Sequence, residues 1–480
     1  MSIPRKGDEV TLEIAAAAFE GKAVSRIEGY VVLVEGAVPG DVALVRVVKA
    51  KKQYAEARVL KILKPSSLRT TPRCPSFGTC GGCKWQHVDY PAQLQFKQQQ
   101  VRDIFERIGG FSDLAVAPII GADDIYFYRN KMEFSFADQE WLEEPPVADS
   151  QMPTGNLKLE KGNPPVFLGL HVPRRYDKVL DIHECYLQSE ESISILNFTR
   201  DFARRSGFPV YSSSLNTGYY RFLVIRQSRR TGELMVNLVT FEDRPDLMEA
   251  YAREAVKTVP AITTVVNTIN DRKAQIAFGE KERVCHGPGI IHEQLSGNLF
   301  AVSASSFFQT NTAQAEKLYS VAREFAGLKS TDTVYDLYSG TGAIAMAVSK
   351  SAKQVIGIES VESAVNDAGR NARENGIENC SFVLGDLKER LTKEKEWMSS
   401  YPKADVLIID PPRSGMHPRV VEEVRDLGAS RIVYVSCNPA TQARDCRALC
   451  EERYRLVKLQ PVDMFPHTYH IENVVLLEPA

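Results

Sequence analysis

From about residue 333 to the end of the chain, short apolar runs alternate with stretches of helical length, and this rhythm restricts the fold more than any other feature. The runs VYDLY, QVIGIE, SFVLG, DVLIID and RIVYVS are separated by helical stretches at 342–350, 361–374, 387–398, 418–427 and 441–450. A strand apolar on both faces is buried on both faces, and neighbouring parallel strands need a helix-length crossover, so the pattern predicts a parallel sheet covered by helices on each side. Two further runs, RLVKLQ and ENVVLL, flank a short connection around Met464 to His470 and are expected to form an antiparallel hairpin at one edge.

A chain of 480 residues has room for about three domains. Residues 7–66 alternate apolar and polar positions in five short runs broken by turn signals, the pattern of a small closed barrel. Pro65 and the serine pair behind it are expected to end that module. Between Pro91 and Gly109 the apolar residues Leu94, Val101, Ile104, Phe105 and Ile108 recur at helical spacing, which reads as a packing face. Six strand-like runs and one helical stretch near 188–205 follow, giving a mixed α+β middle domain. The division expected is therefore 1–66, 67–300 and 301–480, in an α/β chain.

The formal charge is only −2, yet ten basic residues and two acidic ones lie between Lys49 and Gln100. A local field of that sign can hold phosphates although the whole chain is near neutral. Nine cysteines are too few and too uneven for a disulfide framework. The N-terminal sequence has no apolar signal core, and no run reaches the roughly 18 apolar residues of a membrane span. A reducing, cytoplasmic setting is expected, with no membrane and no obligate protein partner.

The chemistry is concentrated at strand ends. The first strand of the parallel set runs into Asp336-Leu337-Tyr338-Ser339-Gly340-Thr341-Gly342, where two glycines allow a tight turn and close approach of a ligand. Glu359 ends the next strand and is placed to accept hydrogen bonds from ribose hydroxyls. Alanine at 345 replaces the last glycine of the dinucleotide fingerprint, which favours an adenosyl group without a pyrophosphate, S-adenosylmethionine, over a nicotinamide cofactor. Asp410 opens Asp410-Pro411-Pro412-Arg413 at the fourth strand's carboxyl end, the edge at which open sheets bind ligands. Cys437, in Ser436-Cys437-Asn438-Pro439, stands at the end of the fifth and is a candidate nucleophile. Glu472 begins the last apolar run, where partial burial would bring its carboxyl into the range of a working base; His467 and His470 beside it are alternatives.

Cys74, Cys80 and Cys83 are crowded around Gly81 and Gly82, which looks like metal ligation. Cys185 in DIHECYL is the leading distant fourth ligand, Cys285 being embedded in a turn rich in glycine and proline. Four thiolates suit zinc or an iron-sulfur cluster alike.

Taken in order, Cys74-x5-Cys80-Gly81-Gly82-Cys83, Ser305-Ser306-Phe307-Phe308-Gln309-x-Asn311, the Asp336 to Gly342 turn, Asp410-Pro411-Pro412-Arg413, Ser436-Cys437-Asn438-Pro439 and His470-Ile471-Glu472 form a specific set. On these motifs the chain resembles the RNA (uracil-5-)-methyltransferases that use S-adenosylmethionine, above all the iron-sulfur enzymes acting on 23S ribosomal RNA. The resemblance implies a class I methyltransferase domain, an N-terminal TRAM barrel that binds RNA, and a central α+β domain holding a [4Fe-4S] cluster on Cys74, Cys80, Cys83 and Cys185. It implies that a segment near 92–125 packs on the catalytic domain. It also implies cofactor contacts from Gln309, Tyr338, Glu359 and Asp410, with Cys437 as nucleophile and Glu472 as base. The chain departs from the family at Tyr338-Ser339, where relatives often have Phe-Cys, and at Ala343, where they have Asn. The alternatives are a methyltransferase acting on the transfer RNA T-loop and an inactive RNA-binding protein.

Overall fold

The computed structural model describes residues 4–139, 165–173, 175–213 and 215–480. These form two compact units, one of Met1–Pro72, Cys83–Ile125 and Ala313–Ala480, the other of Arg73–Gly82 and Tyr126–Thr312.

In the first unit the seven-stranded sheet runs in the order Cys380–Leu384, Gln354–Glu359, Thr333–Leu337, Val406–Ile409, Arg431–Ser436, Glu472–Pro479, Tyr454–Val462. The first five are parallel and the last two form the antiparallel edge hairpin. Their side chains are buried almost without break in the three central parallel strands, as strands covered on both faces require. Strand order reverses between Thr333–Leu337 and Val406–Ile409, and a crevice opens at the carboxyl ends of strands at such a switch. The helical stretch expected at 387–398 divides into an α-helix, Leu387–Thr392, and a 3-10 turn, Lys395–Ser400. The break lets Trp397 lay its ring 5.6 Å from that of Tyr335 while its indole N–H donates to the Arg390 carbonyl.

The N-terminal strands form a six-stranded sheet whose alternate residues, among them Leu12, Val32, Val34, Val45 and Ala57, fill its interior. The two residues that follow the first strand, Glu9–Glu13, bridge the edges of that sheet: Ile14 N–H donates to the Asp41 carbonyl on one side and Ala15 N–H to the Val24 carbonyl on the other. The expected end at Pro65 is not a detached one. Ser66 N–H donates to Asp41 Oδ1, and Val38 packs with Trp85, Val88 and Ala92 at the start of the helix Tyr90–Ile104.

The second unit carries a seven-stranded mixed sheet, with the helix Pro245–Thr258 crossing between the parallel strands Leu234–Thr240 and Thr264–Ile269. This helix was not expected beside Glu190–Ser206; its proline at the first turn and its buried Met248, Tyr251, Ala252 and Ala255 are the signal for it. Thr312–Ala326 is a further helix that the strand-helix rhythm did not include. The segment 301–312, expected with the last domain, lies in the second unit. Among the described residues no helix is long and apolar enough to cross a membrane.

Candidate active site

The sheet register assembles this site. Ser436 pairs with Asn473 across the antiparallel junction, so the carboxyl end of one strand, carrying Cys437, lies beside the start of the other, carrying Glu472. Asn473 is fixed from the helix Pro439–Cys450: its Nδ2 donates to Gln442 Oε1 at 2.7 Å, and Gln442 Nε2 donates to the Tyr434 and Asn473 carbonyls. Cys437 itself sits in a turn drawn tight by Asn438, whose N–H donates to Ser436 Oγ and whose Nδ2 donates to the Arg413 carbonyl at 2.9 Å. The Asp410 to Gly415 loop is thereby tied to the nucleophile candidate's own turn. Asp445 holds its far end by accepting from Met416 N–H and Tyr434 Oη–H.

Electrostatics link the four side chains. Burial pushes the Cys437 thiol up to about 11, the Glu472 and Asp410 carboxylates push the same way, and the Arg413 guanidinium opposes them. Glu472, 5% exposed, is held well above the usual carboxylate range by burial and by Asp410, with Arg413 again opposing. Burial lifts Asp410 to about 7. A thiol, a protonatable carboxyl and a guanidinium acting on one another at a sheet edge form a constellation able to do nucleophilic and general base chemistry.

One crossover away is the glycine turn. Gly340 and Gly342 have φ of 53° and 79°, and so does Tyr338, at 68°, a conformation uncommon for a side chain of that size. A Cβ on Gly342 would come within 2.8 Å of Phe382, whereas one on Gly340 would meet nothing within 4 Å. Glu359 closes the turn from the next strand: Oε2 accepts from Gly340 N–H at 3.0 Å and Oε1 from the N–H groups of Ser360 and Val361. Oε2 keeps acceptor capacity for a hydroxyl, and the open space over Gly340 is free of side chains, so the turn fits an adenosyl group. Asp336, wholly buried beneath it, is raised to about 8 by burial and by the charge of Asp410.

Of the residues singled out in the sequence, Tyr338, Glu359, Asp410, Cys437 and Glu472 lie in the first unit and Gln309 in the second, where its carbonyl accepts from Asn130 Nδ2. His467 is engaged elsewhere: its ring faces Gln93 Nε2 at 3.2 Å, and burial lowers it to about 4. Arg413, Asn438 and Asp336 were visible only as neighbours within motifs, and Asp386, whose charge acts on the Tyr338 phenol, had no motif to mark it.

The cysteine cluster is different. Cys74, Cys80 and Cys185 belong to the second unit and Cys83 to the first, and none of the nine cysteines is in a disulfide. Among the described residues no group of three or more His, Cys, Asp or Glu side chains is gathered as a metal site. Within the second unit burial raises the Cys74 and Cys185 thiols, and the Cys74 charge acts on Cys185.

The family described as tRNA (Uracil-5-)-methyltransferase matches residues 231–480, and the TRAM domain matches residues 5–60. A protein from Chlorobaculum tepidum described as an uncharacterized RNA methyltransferase is 42% identical over 480 residues, which span 99% of this chain and 97% of the relative. One of the same description from Porphyromonas gingivalis is 44% identical over 472 residues, 97% of this chain and 99% of the relative. Among solved structures, the Pyrococcus abyssi tRNA (uracil-54, C5)-methyltransferase in complex with S-adenosyl-L-homocysteine superposes with a TM-score of 0.72 at 27% identity, covering 98% of this chain and all of that one. The sheet edge that joins Cys437 to Glu472 lies inside the matched segment, and with relatives this similar along nearly its whole length the chain belongs to the tRNA (uracil-5-)-methyltransferase family of RNA methyltransferases.

Proposed function

We propose that this chain methylates carbon 5 of a uridine in RNA through a covalent adduct on Cys437, with Glu472 as the base. What supports this most is the register that sets the Cys437 turn beside Glu472, with Arg413 and Asp410 acting on both. Carbon 5 of uracil is a weak nucleophile. Addition of the Cys437 thiolate to carbon 6 forms an S–C bond and turns the ring into an enolate with electron density at carbon 5. S-adenosylmethionine, when bound, supplies an electrophilic methyl group; Tyr338, Glu359, Asp410 and Gln309 are the residues proposed to hold it. Glu472 then takes the proton from carbon 5, the C–H electron pair restores the ring double bond, and the thiolate leaves. Arg413 stabilises the thiolate at the first and last of these steps. The target base must leave its stack, so a loop or single strand is the less costly substrate.

The RNA proposed is 23S ribosomal RNA, from the motif set that includes the four cysteines. The likeness to a tRNA (uracil-54, C5)-methyltransferase favours a second reading, transfer RNA. Mass mapping of 5-methyluridine in RNA from a strain in which the gene is deleted decides between them. A mark missing from 23S RNA supports the first, one missing from transfer RNA the second, and no missing mark overturns both.

The [4Fe-4S] cluster on Cys74, Cys80, Cys83 and Cys185 is proposed from their spacing and from the family resemblance, and no step above depends on it. Anaerobically purified protein is then brown, with about four iron and four sulfide per chain; zinc in place of iron, or no metal, overturns it. The divisions at 66 and 300 are proposed as functional ones, a barrel for RNA, a cluster region and a catalytic sheet, in a cytoplasmic enzyme.

A further inference from the structure

We propose that Lys97 is a positioning residue for Glu472, acting through Asp463; the inference rests on the assignment of Glu472 as the base. Lys97 lies in the polar run QFKQQQ of the helix Tyr90–Ile104, and in the sequence it counted among the basic residues available to phosphates. The structure removes it from that set. Its Nζ is 2.6 Å from Asp463 Oδ1, with both side chains 0% exposed, and it also donates to the Phe465 carbonyl at 3.1 Å.

A pair buried this deeply adds little net stability, because desolvating two charges offsets their attraction. What it does is fix a position. Val462 is the last residue of one hairpin strand and pairs with Glu472, the first residue of the other, so Asp463 is the next residue after the base's own cross-strand partner. Asp463 is further held by Tyr90 Oη–H on Oδ2 at 2.9 Å, by Gln314 Nε2 on its carbonyl at 2.7 Å, and through its own N–H to the Ile120 carbonyl. The rest of the connection is gripped from the same segment. His467 N–H donates to Gln93 Oε1, and Lys84 and Trp85 N–H both donate to the His467 carbonyl. Gln442 fixes Asn473 on one side of the base, and Lys97 fixes Asp463 on the other.

Replacing Lys97 by methionine keeps an unbranched stem but leaves the Asp463 carboxylate buried without its cation. The hairpin end then shifts to reach water, and proton removal at carbon 5, which depends on sub-ångström placement, slows by up to about 100-fold. Addition of Cys437 and methyl transfer precede that step and keep their rates. The experiment mixes K97M, K97M/D463N and E472Q with total RNA from the deletion strain and methyl-labelled S-adenosylmethionine. Rates of adduct formation and of adduct decay are read separately on denaturing gels.

The expected result is that K97M accumulates a labelled protein-RNA adduct as E472Q does, with an unchanged KM for S-adenosylmethionine. K97M/D463N, having lost the stranded charge, recovers most of the decay rate. Wild-type decay in K97M, or formation and decay falling in equal proportion, overturns the proposal. If K97M does not fold, Tyr90→Phe, which removes one hydrogen bond from Asp463, decides by the same two rates. If E472Q accumulates adduct and K97M does not, the base stands and the positioning role falls; if E472Q accumulates none, the base assignment falls and takes the proposal with it.

Discussion

Two groups of cysteines were singled out by motif, and the structure treats them differently. Cys437 stands at the end of a strand whose register delivers Glu472 from the neighbouring strand, and side-chain hydrogen bonds from Asn438 and Gln442 hold the junction. Cys74, Cys80, Cys83 and Cys185 lie outside helices and strands, on turns and loops, so no ladder of hydrogen bonds imposes a register on them. Spacing in the sequence states which residue types belong together. A sheet brings its residues together through its register, whereas thiols on loops have no such ladder, and of these four the Cys74 charge acts on Cys185.

The sharpest break of this contrast is Cys437→Ala. With the attacking thiolate gone, neither adduct nor methylated RNA forms, and turnover falls by about four orders of magnitude or more. Labelled adduct in this variant would move the nucleophile to another residue. Glu472→Gln is the next largest. Addition and methyl transfer proceed, but the proton on carbon 5 stays, and turnover falls by about 10²–10⁴. The product is a methylated adduct that survives denaturation; full turnover would remove Glu472 from the mechanism.

Much of this site is legible in the amino-acid sequence, because the signals lie at the ends of strands and strands apolar on both faces are easy to recognise. Tyr338, Glu359, Asp410 and Cys437 each follow or end such a run. What escaped has a physical reason in each case. The helix Pro245–Thr258 buries two alanines in its four-residue stripe, so its hydrophobic signal is faint. Lys97 resembles a phosphate ligand in the sequence because its partner is 366 residues away. Arg413 had a visible position but no visible task until the fold brought its charge to bear on Cys437.

That pairing makes a pH prediction with a definite sign. The Cys437 thiol is pushed up to about 11, chiefly by burial, against the lowering effect of Arg413, so Arg413→Gln raises it further. The alkaline limb of adduct formation then moves up by about one pH unit, and the rate at pH 8 falls about tenfold. Asp410 acts in the other direction on the same thiol, so Asp410→Asn moves that limb down, with a weaker KM for S-adenosylmethionine as a separate effect. Limbs that shift the same way in both variants would show that another group is titrating.

The barrel offers a weaker, purely electrostatic test. Lys51, Lys61 and Lys64 are exposed on it, whereas Arg69 is paired with Asp41 and Lys97 is buried, so the phosphate-binding field is smaller than the sequence count. Changing the three exposed lysines to glutamine lowers the slope of log affinity against log salt by about two to three, and leaves adduct chemistry at saturating RNA intact. An unchanged slope would place the phosphate contacts elsewhere.

The smallest effect expected on the chemistry comes from the second group of cysteines, and it closes the comparison. If Cys74, Cys80, Cys83 and Cys185 hold a cluster that braces the protein, Cys80→Ser loses iron and lowers thermal stability. A closed four-thiolate site has no open position for a substrate, so removing one ligand takes nothing directly from the reacting atoms. Measured in a single turnover at saturating RNA, the rate of Cys437 adduct formation in this variant then changes by about twofold or less, as for sites that act independently. Iron content and melting temperature report the structural loss in the same sample. A fall in adduct formation comparable to that of Cys437→Ala, in protein that remains folded, would mean that the two groups of thiols serve one reaction and that reading them as separate devices is wrong.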